Sequence, residues 1–319
     1  MSWWRFGKTV QSAEEFERRR LARFREFVAF VEDSSPWYER VMAERGLDAE
    51  TCRPEDFPVL SQEDVAAQPG ALVEAAPPGG PLVREATPEL VRELNDRQPG
   101  AIRGRASVLA RLAAMQLDGD LWIRPQSIIS SGEPLSRVQR LLIEGAFGEC
   151  LRDMYWSREH GCMGVREPGS GEMGLNETDL IFERREDHTL VTNLRNRETP
   201  MIRYRMNDVL QPGYVARAED APRFLNRWGE EDRLPAAAVL EVDVPHIREY
   251  QLRLLNRTQF DLLVVMDPGA SRGNRRGAVE ALRVHFGEAL RAREMGNVCF
   301  EVVETDEIVS GSPKYAFVI

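Results

Sequence analysis

The side chains best suited to chemistry lie in short segments spread along the chain. These are Gln98-Pro-Gly-Ala-Ile-Arg-Gly104, Ser130-Ser131-Gly132-Glu133-Pro134, Tyr155-Trp-Ser-Arg-Glu159, Arg203-Tyr-Arg-Met-Asn-Asp208, Asn226-Arg227 and Ser312-Pro-Lys314. The Asp208 carboxylate offers paired acceptors, which suit a vicinal diol. His160 follows Glu159 directly, and an imidazole of near-neutral pKa suits a general base there. Lys314 carries an ammonium on a flexible stem, fitting a group that arrives in only one conformation. Each also has a plainer reading. Ser131 to Pro134 is equally a tight strand-to-helix turn, Glu159 a solvated surface carboxylate, and Arg227 and Lys314 ordinary exposed charges. A packed histidine is the commoner fate for His160, and Cys162 nearby shows no sign of activation. The sequence holds no H-E-x-x-H and no G-x-x-x-x-G-K-[ST].

The elements that must carry these groups alternate helix with short strand. Ser12 and Glu15 have capping-box spacing ahead of Leu21, Phe24, Val28 and Val31, which repeat at helical intervals. Ser35-Pro36 opens a second helix that Gly46 closes. Thr87-Pro88 opens a helix through Leu94, and Ser107 opens another. Residues 127–130 read as a short buried strand, 136–147 as helix and 149–155 as extended chain. Residues 179–210 are strand-rich with hairpin-like breaks. The last seventy or so residues read as strands at 251–255 and 260–266, a Gly/Arg loop, a helix at 278–291, and strands at 298–303 and 315–319. The expected fold class is α/β: an N-terminal domain with a mixed sheet over 1–234, hinged near residue 235 to a small α+β domain over 235–319.

Taken in order, the segments resemble those of the phenylacetate–CoA ligase and coenzyme F390 synthetase branch of the adenylate-forming superfamily. Ser35-Pro-Trp-Tyr-Glu-Arg-Val-Met-Ala-Glu-Arg-Gly46 and Pro58-Val-Leu-Ser-Gln-Glu-Asp64 resemble that branch's N-terminal region, so the likeness runs along nearly the whole chain. It implies activation of a carboxylate by ATP with Mg2+, then passage of the acyl-adenylate to a thiol or another acceptor. By resemblance, Ser131, Gly132, Glu133 and Pro134 lie against adenine, with Tyr155 opening the Tyr-x-x-x-Glu pattern beside the nucleotide. Glu159 serves Mg2+ and the nucleotide, Asp208 takes both ribose hydroxyls, Arg227 reaches ribose or phosphate, and Lys314 meets the α-phosphate. The chain departs from the family at Met206-Asn207, where threonine and glycine are usual, and at Asn226 and Pro313, where glycine is usual.

One interval is informative for what it lacks. Family ligases place a Ser/Thr/Gly-rich phosphate loop between the N-terminal region and the Gln-Pro segment. Here residues 65–86 contain no serine, threonine or lysine and read as a Pro/Gly/Ala-rich linker. Losing one preorganised donor already costs about 3 kcal/mol of barrier. The leading expectation is therefore acyl transfer without efficient adenylation, with His160, Glu159 and Lys314 as catalytic groups. The donor would be a CoA or carrier-protein thioester or an acyl-adenylate, and the acceptor an amine or hydroxyl. Two alternatives stand beside it. One is an ATP-dependent ligase in which Arg103, Arg105 or the Arg-rich 272–276 stretch replaces the loop. The other is a non-catalytic scaffold derived from such a ligase. The kind of family and its drift point to specialised-metabolite biosynthesis.

Bulk properties narrow the partners. A net charge of −10 argues against wrapping nucleic acid, which needs a basic face to displace phosphate counterions. No apolar run reaches the roughly 18–20 residues of a membrane span. The first residues lack the apolar core of a secretory signal, so a cytoplasmic location is expected. The scattered cysteines Cys52, Cys150, Cys162 and Cys299 have no zinc-site spacing, and no metal ligands are assigned. Apolar helix faces uncovered by the short interval favour a homodimer.

Overall fold

The computed structural model describes residues 12–66, 82–211, 213–308 and 314–319. Residues 67–81 of the linker interval, the first eleven residues, and Ser312 and Pro313 lie outside the described residues. The chain forms two compact units. One comprises Met1–Pro77, Tyr155–Val165 and Met173–Leu210; the other comprises Pro78–Met154, Arg166–Glu172 and Gln211–Ile319.

In the first unit, helix Ala13–Ser34 begins at Ser12, whose hydroxyl accepts from the Glu15 N–H at 3.2 Å. Helix Pro36–Arg45 follows at once and ends on Gly46, whose φ of 60° lies in the left-handed region that glycine adopts without a Cβ penalty. The buried stripe Phe24, Phe27, Val28 and Val31 packs with Tyr38, Met42 and Phe57. Ile181, Leu194 and Ile202 join this core from the region of an antiparallel sheet made of Leu180–Arg184, Thr189–Asn193 and Met201–Met206. Each large side chain buried here contributes about 1.5–3 kcal/mol. The Tyr38 phenol donates to the Pro200 carbonyl at 3.1 Å and accepts from the Ile202 N–H at 2.9 Å, so its burial leaves no polar debt.

In the second unit, strands Leu82–Val83, Ala101–Gly104 and Ser127–Ser131 pair in parallel, and Ser127–Ser131 pairs in turn with 151–154 at the start of strand Leu151–Ser157. Helices Pro88–Arg97, Ala106–Asp118 and Arg137–Phe147 supply Leu94, Leu109, Leu112 and Ile143 to a core with Ile102, Ile128 and Leu151. Gly104 is required by close approach: a Cβ there would lie 2.6 Å from Val83 Cγ2. The helix expected to open at Ser107 opens at Ala106 instead, because the Ser107 hydroxyl is spent on Glu133 rather than on a cap.

The same unit holds antiparallel strands Ile247–Asn256 and Gln259–Met266, with Cys299–Glu304 parallel to the latter. The stretch expected as a Gly/Arg loop forms the first turns of helix Arg272–Ala292, capped by the Ser271 hydroxyl and docked through Ala278, Leu282, Phe286 and Leu290. The expected closing strand is a single bridge, Leu252 to Val318, with Leu252 donating to the Phe317 carbonyl at 2.8 Å. Val138, Ala216 and Phe224 share this core. The architecture is α/β with a mixed sheet arrangement, as the alternation of elements predicts. No helix among the described residues is long and apolar enough to cross a membrane.

Candidate functional site

In the first unit, four of the expected residues gather around one strand and the bend that follows another. Tyr155 lies on Leu151–Ser157, and Glu159 and His160 lie on the turn that leads into strand Gly161–Arg166. Asp208 opens the strand Asp208–Leu210 directly after the bend at Asn207. The Tyr155 phenol donates to Asp208 Oδ2 at 2.8 Å. Burial, then the Asp208 charge and this bond, and then Glu159, push the phenol pKa well above its ordinary value. Tyr155 is therefore a fixed donor that aims the Asp208 carboxylate, and it stays protonated throughout the physiological range.

The segment leading to Asp208 is braced at Arg203, whose φ is 55°. Its guanidinium grips both Glu183 oxygens, at 2.9 and 3.1 Å, and donates to the Phe57 carbonyl at 2.7 Å. A bidentate pair at such low exposure (13% and 11%) holds the strained backbone in register. The strand pairing shifts between Val191 and Asn193, which accommodates the same distortion.

His160 departs from the near-neutral base that its position suggests. It is 9% exposed, and burial alone lowers its pKa to about 3. Its Nδ1 side faces Asn193. The Asn193 Oδ1 accepts from the N–H groups of Arg195 and Asn196 at 3.0 and 3.1 Å, which turns the amide nitrogen toward His160 Nδ1, 3.5 Å away. His160 Nε2 is buried and has no hydrogen-bond partner among the described residues. Its ring lies edge-on to Tyr204 at 5.5 Å between centroids, and the buried imidazole is neutral.

In the second unit, the Ser131-Gly132-Glu133-Pro134 segment is a turn between Ser127–Ser131 and Arg137–Phe147, with Gly132 at φ 85°. Glu133 is 8% exposed, and both its oxygens are engaged. Oε2 accepts from the Ser107 hydroxyl at 2.7 Å and its N–H at 3.2 Å, and Oε1 accepts from the Tyr315 N–H at 2.8 Å. The turn and the residue following Lys314 are thus joined, while Lys314 itself is exposed. Arg227 pairs with Glu294 at 2.8 Å and stacks over Trp228 at 4.5 Å. Asn226 accepts from the N–H groups of Trp228 and Glu230 at 2.9 and 3.0 Å and so builds the turn with its side chain.

Two glycine patterns acquire their meaning from this setting. Gly169-x-Gly171-x-x-Gly174 has dinucleotide-loop spacing but leads into the short strand Gly174–Leu175, not a helix. Gly269-x-Ser271-x-Gly273 has the spacing of a nucleophile elbow. Ser271, however, has an unstrained φ of −62° and spends its hydroxyl capping the helix at Asn274. Sequence reasoning also passed over Asp153, which is 9% exposed and lies 3.8 Å from the nearly buried Arg166. Burial raises its pKa to about 7 against the opposing charge of Arg140. A carboxylate inside a strand two residues before a motif gives no local signal.

Among known proteins, no family model matches the chain. Over 128 residues it is 30% identical to Protein CapK of Staphylococcus aureus, covering 38% of this chain and 28% of that protein. Over 107 residues it is 32% identical to indoleacetate–lysine synthetase of Pseudomonas savastanoi, covering 32% of this chain and 27% of that protein. The chain thus spans little more than a quarter of the length of these curated relatives. Among solved structures, it superposes on 2-hydroxyisobutyryl-CoA ligase in its postadenylation state, in complex with R3-HIB-AMP. The TM-score is 0.66 at 17% identity, covering 96% of this chain and 90% of that one. The fold is that of adenylate-forming ligases. An open conformation of the same ligase with 2-HIB-AMP and CoA gives a TM-score of 0.55 at 16% identity, covering 96% of this chain and 92% of that one. The Asp208 carboxylate, held by the Tyr155 phenol, is of a chemistry suited to a vicinal diol.

Proposed function

We propose that the protein moves an acyl group from an already activated donor to an amine or hydroxyl, without efficient ATP-dependent adenylation. The donor is an acyl-adenylate or a CoA or carrier-protein thioester. The observation that carries this reading is a contrast within one chain. Asp208 is held ready by Tyr155 at 2.8 Å, whereas residues 65–86 have no serine, threonine or lysine to hold a triphosphate. A curated relative named for joining indoleacetate with lysine supports an amine as acceptor.

In this reading Asp208 takes the ribose diol alongside the Tyr155 phenol, since a carboxylate has about four acceptor positions. Because Glu133 spends both oxygens within the protein, the contact with adenine falls to the backbone of the Ser131–Pro134 turn. Glu159 is the carboxylate for Mg2+, and Arg227 reaches the nucleotide by exchanging Glu294 for it. Lys314 stabilises negative charge at the α-phosphate or acyl oxygen. His160, buried and neutral, is the imidazole assigned to proton transfer. The phenylacetate–CoA ligase branch, a C-terminal domain over 235–319, a carrier-protein partner, a homodimer and a cytoplasmic location belong to the same proposal. ATP-dependent ligation is the second reading, favoured by the joint presence of Asp208, Glu159 and Lys314.

The test incubates the protein with acyl thioesters and acyl-adenylates plus amine acceptors. Product is expected without ATP, and ATP–pyrophosphate exchange is expected to be absent. Exchange in the absence of transfer would establish the ligase instead. Lys314→Arg should lower kcat by roughly 100-fold with circular dichroism unchanged, because a planar guanidinium does not deliver the compact charge of an ammonium. Unaltered turnover removes Lys314 from the chemistry.

A further inference from the structure

We infer that Glu133 is a positioning residue for Lys314, acting through the peptide group that joins Lys314 to Tyr315. The inference rests on the reading of Lys314 given above, although its structural half can be tested without it. Glu133 Oε1 accepts the N–H of that peptide at 2.8 Å, and Ser107 fixes the other carboxylate oxygen at 2.7 Å. The far side of Tyr315 is held as well: Arg217 donates to its carbonyl at 2.7 Å, and Asp220, 1% exposed, accepts from Arg217 in turn. The Tyr315 hydroxyl donates to the Tyr250 carbonyl, and its side chain is 3% exposed. Lys314 therefore emerges from a residue clamped at both of its peptide groups and at its ring, and it reaches the surface.

The choice of lysine here is unusual for this chain. Of its 42 lysine and arginine residues, only Lys8 and Lys314 are lysine. Where positive charge alone is needed, the sequence supplies arginine. An ammonium on a four-carbon stem is compact but loses much rotamer entropy when placed, so a fixed base is what lets it meet a chosen point. Glu133 supplies that base from the same turn that carries Ser131, Gly132 and Pro134. This carboxylate thereby ties the turn segment to the lysine segment across 182 positions.

The scarcity of lysine gives a direct readout. Acylation of the intact protein with an N-hydroxysuccinimide ester, followed by peptide mass spectrometry, reports Lys314 with Lys8 as internal reference. Glu133→Ala is expected to change the Lys314 labelling rate at least threefold relative to Lys8. It should also lower kcat for acyl transfer at least tenfold with KM within twofold. Asn95→Ala, which removes two part-buried side-chain hydrogen bonds elsewhere in the same unit, is expected to leave both readouts unchanged. Unchanged Lys314 labelling in folded Glu133→Ala overturns the inference. So does rapid hydrogen exchange at the Tyr315 amide of the wild-type protein, a measurement that holds even if the variant fails to fold. Altered labelling without any acyl transfer in the wild type would sustain the positioning and refute the proposed reaction.

Discussion

The Tyr155 phenol donates to the Asp208 carboxylate at 2.8 Å, from a position 53 residues earlier in the chain. Two motif segments that are separate in sequence are one hydrogen-bonded unit in the fold. Replacing the phenol by phenylalanine removes a donor to a charged acceptor at a part-buried site. Tyr155→Phe should cost about 1–3 kcal/mol in urea unfolding. It should also weaken AMP binding in calorimetry by roughly tenfold, since an unaimed carboxylate must be ordered by the ligand itself. A variant of wild-type stability and affinity would show that the bond positions nothing.

His160 makes acid stability a report on its burial. Its folded pKa is lowered to about 3 from an ordinary 6.5. A depressed pKa means the unfolded chain takes up the proton first. The stabilising contribution is therefore complete above about pH 6.5 and is lost progressively as pH falls toward 3. Across that window wild-type stability should fall by up to about 1.4 kcal/mol per pH unit from this group. His160→Gln should flatten the slope by close to one proton in a pH series of denaturant midpoints. Parallel slopes for wild type and variant would contradict the buried, neutral imidazole.

Asp153 should act with the opposite sign. Burial raises its pKa from 3.8 to about 7. The folded state then favours the protonated acid, so stability is complete below the unfolded value and declines as pH rises through about 7. Asp153→Asn cannot ionise, and its stability relative to wild type should improve steadily between about pH 4 and pH 7. The check is the difference in unfolding free energy at the two ends of that range. A difference that stays constant, or that grows less favourable with pH, would mean that Arg140 and Arg166 stabilise the ionised carboxylate.

Much of the framework is written locally in the sequence. Ser12, Thr87 and Ser136 cap the helices they precede, and Pro36 and Gly46 bracket another, because a cap bond reaches only three residues along the chain. The order of the motif segments likewise points to the adenylate-forming fold. Boundaries failed where side chains had distant business. Ser107 bonds to Glu133 instead of capping, and the glycine and arginine stretch after Ser271 is helical because Ala278, Leu282, Phe286 and Leu290 dock its helix on the core.

The sequence by itself determined which chemical groups this protein possesses and which helices and strands carry them, since both depend on residue type and on spacings of a few residues. Tertiary structure alone decided what those groups are. It placed Asp208 against Tyr155, left His160 buried and neutral, and made Glu133 the clamp on Tyr315. Protonation and partner are set by burial and by neighbours 33, 53 or 182 positions away. No local pattern carries that information, because desolvation and long-range hydrogen bonds exist only once the chain has closed on itself.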